Sequence, residues 1–491
     1  MNPLKILFVT AEAAPFAKTG GLADVSASLS RYLKEAGHDV RVVMPLYPRI
    51  RRNAEGLAPV EGFDPAWLKL GDQRVSFQLW KAPLPGSDLD VHFIECGPLF
   101  DRESIYTNDP DEHRRFLLLS RAAIEIAQRW RWAPDVFHVH DWHAAMVPLY
   151  LRTTYAWDRL FARSRTLLSI HNLGHQGVFG SSIVPDLELG DGAVRLHQED
   201  LRAGRINFLK HGLLHADRLS TVSPTYAREI QTEAYGFGLS DLLRARADAL
   251  TGILNGVDYE NWNPRTDRHI VRRYSEKSLH GKERNKEALL SAMGLRAVKG
   301  VPVIGVVSRL SAQKGFELVF DALPPILRTR EVQFVALGTG EPRYEEGFHR
   351  LAAAFPQRVS FHAGYSEPLA HLIEAGSDLF VMPSRYEPCG LNQMYSLKYG
   401  TVPVVRRTGG LADTVEPFDP RTGEGTGFLF DHFTAQGLAW ALGQALDVYA
   451  DRKAWKKLML NGMAQDYSWA VEGPKYVALY EAMALEPSAR P

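Results

Sequence analysis

The stretch Pro383–Gly400 (PSRYEPCGLNQMYSLKYG) carries the densest set of groups able to do chemistry. Glu387 sits in a Pro/Gly-flanked loop after an apolar run, and Gly390 and Leu391 open a helix pattern whose first N–H groups would face an anion. A carboxylate beside a phosphate site suits recognition of sugar hydroxyls, or support of a developing oxocarbenium charge. Cys389 has no readable Cys–His arrangement and reads as a buried or site-lining thiol. Upstream, Ser308–Gly315 (SRLSAQKG) also follows a buried-type strand and opens a helix. Its two cations, Arg309 and Lys314, can neutralise a diphosphate without a metal.

A second signal is a repeat. Thr19–Asp24 and Thr408–Asp413 both read TGGLAD. Each copy follows a β-branched, apolar run (Ile6–Thr10 and Thr401–Val405) and precedes a helix pattern. Paired glycines at such a turn let backbone approach a ligand closely. Lys18 stands directly before the first pair, which fits a phosphate or phosphosugar. The flanks make the copies unequal. The second follows Arg406 and Arg407, comes one strand after Glu387, and is expected to wall the cleft.

His138–His143 reads HVHDWH. Its imidazoles and Asp141 resemble a metal cluster, but no recognisable ligand spacing completes it. An acid and imidazoles lining a sugar site, with Trp142 as a wall, is the stronger reading, and His138 fits a core histidine equally well. The D-x-D pairs Asp88/Asp90 and Asp109/Asp111 could hold a cation, but neither follows a strand, so they read as turn and cap residues. No G-x-G-x-x-G follows the first strand, which argues against a nicotinamide enzyme.

Positioning these groups requires strand–loop–helix units. In the first half, strands are expected at Lys5–Thr10, Asp39–Met44, Leu89–Glu95, Val136–Val139, Thr166–Ile170 and Arg218–Val222. Helices are expected at Leu22–Ala36 and Asp111–Trp130. The candidate residues fall at the carboxyl ends of these strands, where ligands bind on parallel sheets. A turn-rich, then highly charged, segment near Val257–Asn263 marks a boundary. A second series follows, with strands at Val303–Val307, Gln333–Leu337, Val359–His362, Leu379–Met382 and Val402–Val405. Helices are expected at Phe316–Leu327, Leu391–Lys398 and Trp469–Leu485. The fold class is α/β, with two doubly wound Rossmann-like domains facing a cleft, residues 1–258 and 259–468.

The totals agree. A chain of 491 residues with 45% hydrophobic and 23% charged residues supports more than one core. Lys+Arg and Asp+Glu are both 57, so the balance lacks the basic excess of a nucleic-acid binder. Two cysteines, Cys96 and Cys389, form no disulfide framework and fit a reducing cytoplasm. No apolar run approaches the roughly 20 residues of a membrane span.

Together these residues resemble the bacterial glycogen synthase and plant starch synthase family, which is similar over nearly the whole chain. The matching motifs include Lys18–Leu22, His140–His143, Ile170–Asn172, Val222–Thr225, Leu254–Asp258, Ser308–Leu310, Gln313–Gly315, Glu387–Leu391 and Arg407–Leu411. Their number and order make the resemblance specific. It implies a retaining glycosyltransferase of the GT-B fold that moves glucose from ADP-glucose to the non-reducing end of an α-1,4-glucan. It further implies that Lys18, Arg309 and Lys314 neutralise the diphosphate. The amides near Gly20, Gly21, Gly390 and Leu391 would add hydrogen bonds, and Glu387 would hold glucose hydroxyls. Tyr365 would lie against adenine, and Cys389 and Thr408 would complete the donor set. His171 would meet the donor sugar near its anomeric carbon. Asp141, Trp142, Asn172 and Asn255 would join it on the acceptor side. No metal or other cofactor is expected.

Two positions depart from wider patterns. Related retaining families carry a second glutamate eight positions after the first, where this chain has Tyr395, as is usual for this branch. Asn392 stands where some relatives have threonine. Two other readings compete: a glucan-binding relative without catalysis, which should have lost the three cations, and a sugar-nucleotide epimerase.

Overall fold

The structure is a computed structural model, and it describes residues 3–486. Contacts divide the chain into two units. Of the described residues, the first comprises those up to 222, 227–256 and those from 469 onward, and the second Ser223–Tyr226 and Val257–Ser468.

The first unit is built on a ten-stranded sheet. Its order is Leu250–Gly252, Arg218–Thr221, Arg165–Ile170, Val136–His140, Lys5–Val9, Asp39–Pro45, Asp90–Glu95, Gln73–Pro83 and Ala58–Pro59. Strand Ala66–Leu70 pairs with Gln73–Pro83. The first seven strands run parallel. Ile6–Val9 and Val136–His140 are buried without alternation, as expected of strands covered on both faces. One edge differs from the all-parallel expectation, because Gln73–Pro83 pairs antiparallel with Asp90–Glu95. Its partly alternating burial marks a strand with one wet face. Helix Glu112–Arg129 is buried along most of its length. The closing helix Trp469–Leu485 packs against helix Gly21–Glu35 and strand Val136–His140. Its Tyr480 hydroxyl meets His138 Nδ1 at 2.9 Å, while Ser169 Oγ lies 2.6 Å from Nε2. His138 is therefore a satisfied core histidine.

The second unit carries a six-stranded, wholly parallel sheet. Its order is Val359–Ala363, Gln333–Gly340, Val303–Leu310, Leu379–Met382, Val402–Arg406 and Phe428–Phe430. The short last strand lacks a sequence signal of its own and forms by pairing with Val404–Arg406. Helices Phe316–Thr329 and Ala435–Ala450 pack on one another over a single apolar cluster. Segment Ser223–Tyr226 belongs here through two anchors. Ser223 Oγ donates to the Pro388 carbonyl at 2.7 Å, and Thr225 donates N–H and Oγ–H to Asp413 at 2.8 and 2.6 Å.

The D-x-D pairs are structural. Arg102 holds Asp109 and Asp111 at 2.6 Å each. Asp111 occupies the N-cap position of helix Glu112–Arg129, but its carboxylate makes no cap bond. Asp90 pairs with Lys81 at 2.7 Å. Among the described residues, no helix is long and apolar enough to cross a membrane.

Candidate active site

In the first unit the candidates gather at the carboxyl ends of the parallel strands. Asp141 follows strand Val136–His140 in a left-handed conformation (φ 53°), which turns its side chain toward the next strand end. Its Oδ1 accepts the N–H of His171 at 2.7 Å and of Asn172 at 3.4 Å, so three of the expected acceptor-side residues meet. His171 Nε2 lies 2.9 Å from His140 Nδ1. Burial pushes the Asp141 carboxyl up to about 7, against the pull of the two N–H bonds. Burial also drives His171 down to about 3 and holds His140 and His143 well below the usual imidazole range. The imidazoles are therefore neutral at physiological pH and act as dipoles rather than cations.

A carboxyl that binds its proton more tightly when folded favours folding at low pH. That contribution is complete below about 4 and is lost as pH rises through about 7. Asp141→Asn removes the term while keeping an acceptor oxygen. The difference in melting temperature, variant minus wild type, should therefore shift in the variant's favour between pH 5 and pH 8. A difference independent of pH would rule out a raised pKa at this carboxyl.

Trp142 is buried within a ring of aromatics, 4.7 Å from Phe116 and 5.8 Å from Phe179 between centroids. Asn255 is also buried, and its Oδ1 has no hydrogen-bond partner among the described residues.

The first TGGLAD copy opens helix Gly21–Glu35, with Gly20 at the N-cap. Lys18 Nζ bonds Asp24, the last residue of the copy, at 2.7 Å. Glu12, not anticipated as a site residue, orders this loop. Its carboxylate accepts Thr19 N–H at 2.5 Å, Thr19 Oγ–H at 2.6 Å and Tyr106 O–H at 2.5 Å. The signal for it was a carboxylate just beyond the first strand.

In the second unit, Arg309 is exposed near the end of strand Val303–Leu310, and Lys314 follows in the next turn. Lys314 Nζ binds Glu387 Oε2 at 2.7 Å, and Ser384 Oγ donates to the same oxygen at 2.8 Å. Glu387 is 4% exposed. With both bonds on Oε2, the second oxygen, Oε1, remains able to accept from a hydroxyl. Helix Asn392–Tyr399 begins one residue after Leu391. Asn392 gives its amide to the Val307 carbonyl at 2.9 Å, which ties the helix start to the strand bearing Arg309. Cys389 is buried, and Tyr365 is 71% exposed after strand Val359–Ala363.

The second TGGLAD copy does a different job from the first. A Cβ on Gly409 would overlap the Glu387 carbonyl oxygen, and one on Gly410 would overlap that of Cys389. Gly410 N–H in turn bonds the Glu387 carbonyl at 3.1 Å and that of Pro388 at 3.2 Å. These glycines admit protein backbone and fix the Glu387 loop. Thr408 is fully buried beside them.

Two parallel-sheet units, with cations, a carboxylate and helix starts at their strand ends, define a glycosyltransferase of the GT-B type. The starch synthase catalytic domain family matches residues 5–245, and the glycosyl transferases group 1 family matches residues 294–458. The glycogen synthase of Koribacter versatilis is 44% identical over 97% of this chain and 98% of its own. That of Anaeromyxobacter dehalogenans is 45% identical over 98% and 100%. Among solved structures, the catalytic domain of starch synthase IV from Arabidopsis thaliana, bound to ADP and acarbose, superposes with a TM-score of 0.91. It is 33% identical and covers 99% of this chain and 100% of its own. The chain belongs to the glycogen synthase family, and it is a glucosyltransferase.

Proposed function

We propose that this enzyme transfers glucose from ADP-glucose to the non-reducing end of an α-1,4-glucan with retention of configuration, and that it needs no metal to do so. The observation that carries the reading is Glu387. It is a buried carboxylate with one oxygen bound by Lys314 and Ser384 and the other left for a sugar hydroxyl. Arg309 and Lys314 would neutralise the diphosphate as the anomeric C–O bond breaks, with Lys18 assigned the same task by family resemblance. Helix starts at Gly21 and Asn392 would add N–H groups to the oxygens. Tyr365 fits the adenine, while the neutral His171 and Asp141 shape the sugar and acceptor side. The acceptor 4-hydroxyl attacks from the face the diphosphate leaves, and its proton passes to the departing phosphate oxygen. Trapping a glucosyl adduct on Glu387 or Asp141 would overturn this front-side route. The structure of starch synthase IV bound to ADP and acarbose supports the pairing of nucleotide and glucan.

The test is incorporation of labelled glucose into glycogen, with ADP-glucose and UDP-glucose at matched concentration. Faster incorporation from ADP-glucose is expected, and Lys18→Ala should reduce it by about 10²-fold. Equal or faster use of UDP-glucose would refute the donor assignment. Glucan binding without incorporation from either donor would instead point to a non-catalytic protein.

A further inference from the structure

A second cluster of ligating groups lies in the second unit, partly on the helix that begins two residues after Tyr365. His269, Glu367 and His371 each offer one ligand atom, and these atoms lie within 4.8 Å of one another. Glu367 and His371 are four residues apart on helix Glu367–Gly376, so they share a face. His371 is 1% exposed. Its Nδ1 meets Asp267 Oδ2 at 2.8 Å, and its Nε2 is buried without a hydrogen-bond partner among the described residues. An orphaned buried nitrogen is costly in a protein interior.

The surroundings set the ring as a ligand is set. Asp267 also accepts Tyr399 O–H at 2.5 Å and His269 N–H at 2.8 Å, so one carboxylate fixes the His371 tautomer and the His269 backbone together. Trp262 stacks on His371 at 3.7 Å and 10°, and Tyr395 stacks on Trp262 at 4.0 Å and 1°. A carboxylate holding the far nitrogen of an imidazole is the usual outer support of a metal-bound histidine. Arg268 Nε reaches one ring nitrogen of His269 at 3.4 Å, which leaves the other for a ligand bond.

We propose that His269, Glu367 and His371 bind one divalent cation of the Zn²⁺ type, which ties the Asp267–His269 loop to helix Glu367–Gly376. Two imidazoles and a carboxylate suit a borderline cation rather than Mg²⁺ or Ca²⁺. A tetrahedral site needs ligand atoms about 3.3 Å apart, so binding draws atoms now within 4.8 Å together by about 1.5 Å at most. The role is structural: the cation takes no part in the bond exchange at the anomeric carbon.

The test uses the full chain, stripped with a chelator and titrated with Co²⁺ and then Zn²⁺. One equivalent of Co²⁺ should produce the visible bands of a low-coordinate site, and Zn²⁺ should displace it. His269→Gln and Glu367→Gln change a partly buried and an exposed residue, so both variants should fold. Each should weaken binding at least about 10-fold, as should the positioning variant Asp267→Asn. Absence of a stoichiometric Co²⁺ spectrum would overturn the proposal. So would undiminished affinity in either ligand variant, because the chain's 17 histidines then bind the cation elsewhere.

Discussion

Glu387→Gln is expected to lower kcat by about 10²–10³-fold while KM for the donor changes little and the fold survives. The carboxylate is held on Oε2 by Lys314 and Ser384, so its position does not depend on substrate. A preorganised negative charge is most effective where positive charge develops, and the anomeric carbon gains that charge only in the transition state. Glutamine keeps the shape and an acceptor oxygen, which preserves much of the ground-state contact. It removes the charge and frees Lys314 from its ion pair. Steady-state kinetics with circular dichroism as a folding control check the result. A variant keeping more than a tenth of wild-type kcat would leave Glu387 only a binding role.

Gly409→Ala and Gly410→Ala should each cost about 2–3 kcal/mol or more of second-unit stability and most of the activity, though neither residue needs to touch substrate. The added methyl at 409 meets the Glu387 carbonyl, and that at 410 the Cys389 carbonyl. Gly409 also has φ 43°, a conformation a side chain strains. Backbone cannot swing aside as a flexible side chain can, so the loop must shift. Such a shift moves Glu387 away from Lys314. In a unit of this size the loss corresponds to a fall of roughly 5–10 °C in its melting transition. Calorimetry with activity measured well below that transition separates instability from misplacement. Wild-type kcat in either variant at low temperature would show that the loop tolerates displacement.

Much of this was legible beforehand because it is local. Buried parallel strands announce themselves as unbroken apolar runs, and the residues at their ends follow from chain order. Strand Leu379–Met382 and helix Trp469–Leu485 lie where the pattern placed them, and other boundaries moved by a few residues. What stayed hidden depends on partners far along the chain. The antiparallel edge Gln73–Pro83 is half wet and carries a weaker pattern. Glu12 gains its meaning only from Thr19 and from Tyr106, which is distant in sequence. The repeated hexapeptide misleads most. Identical letters open helices in both units, yet Asp24 takes Lys18 and Asp413 takes Thr225. The glycines of the second copy are required by a protein loop that no local window contains.

The closing helix has a consequence for synthesis. Tyr476, Tyr480 and Met483 are buried, and Tyr480 completes the hydrogen bonding of His138 in the first unit's central sheet. They are translated only after all of Val257–Ser468. At about 5–20 residues per second, the nascent first unit waits roughly 10–40 s on the ribosome for its last structural piece. During that interval strand Val136–His140 and helix Gly21–Glu35 lack this cover. The second unit, continuous apart from Ser223–Tyr226, emerges whole before then. The part of the chain made first is thus the last to reach its native state.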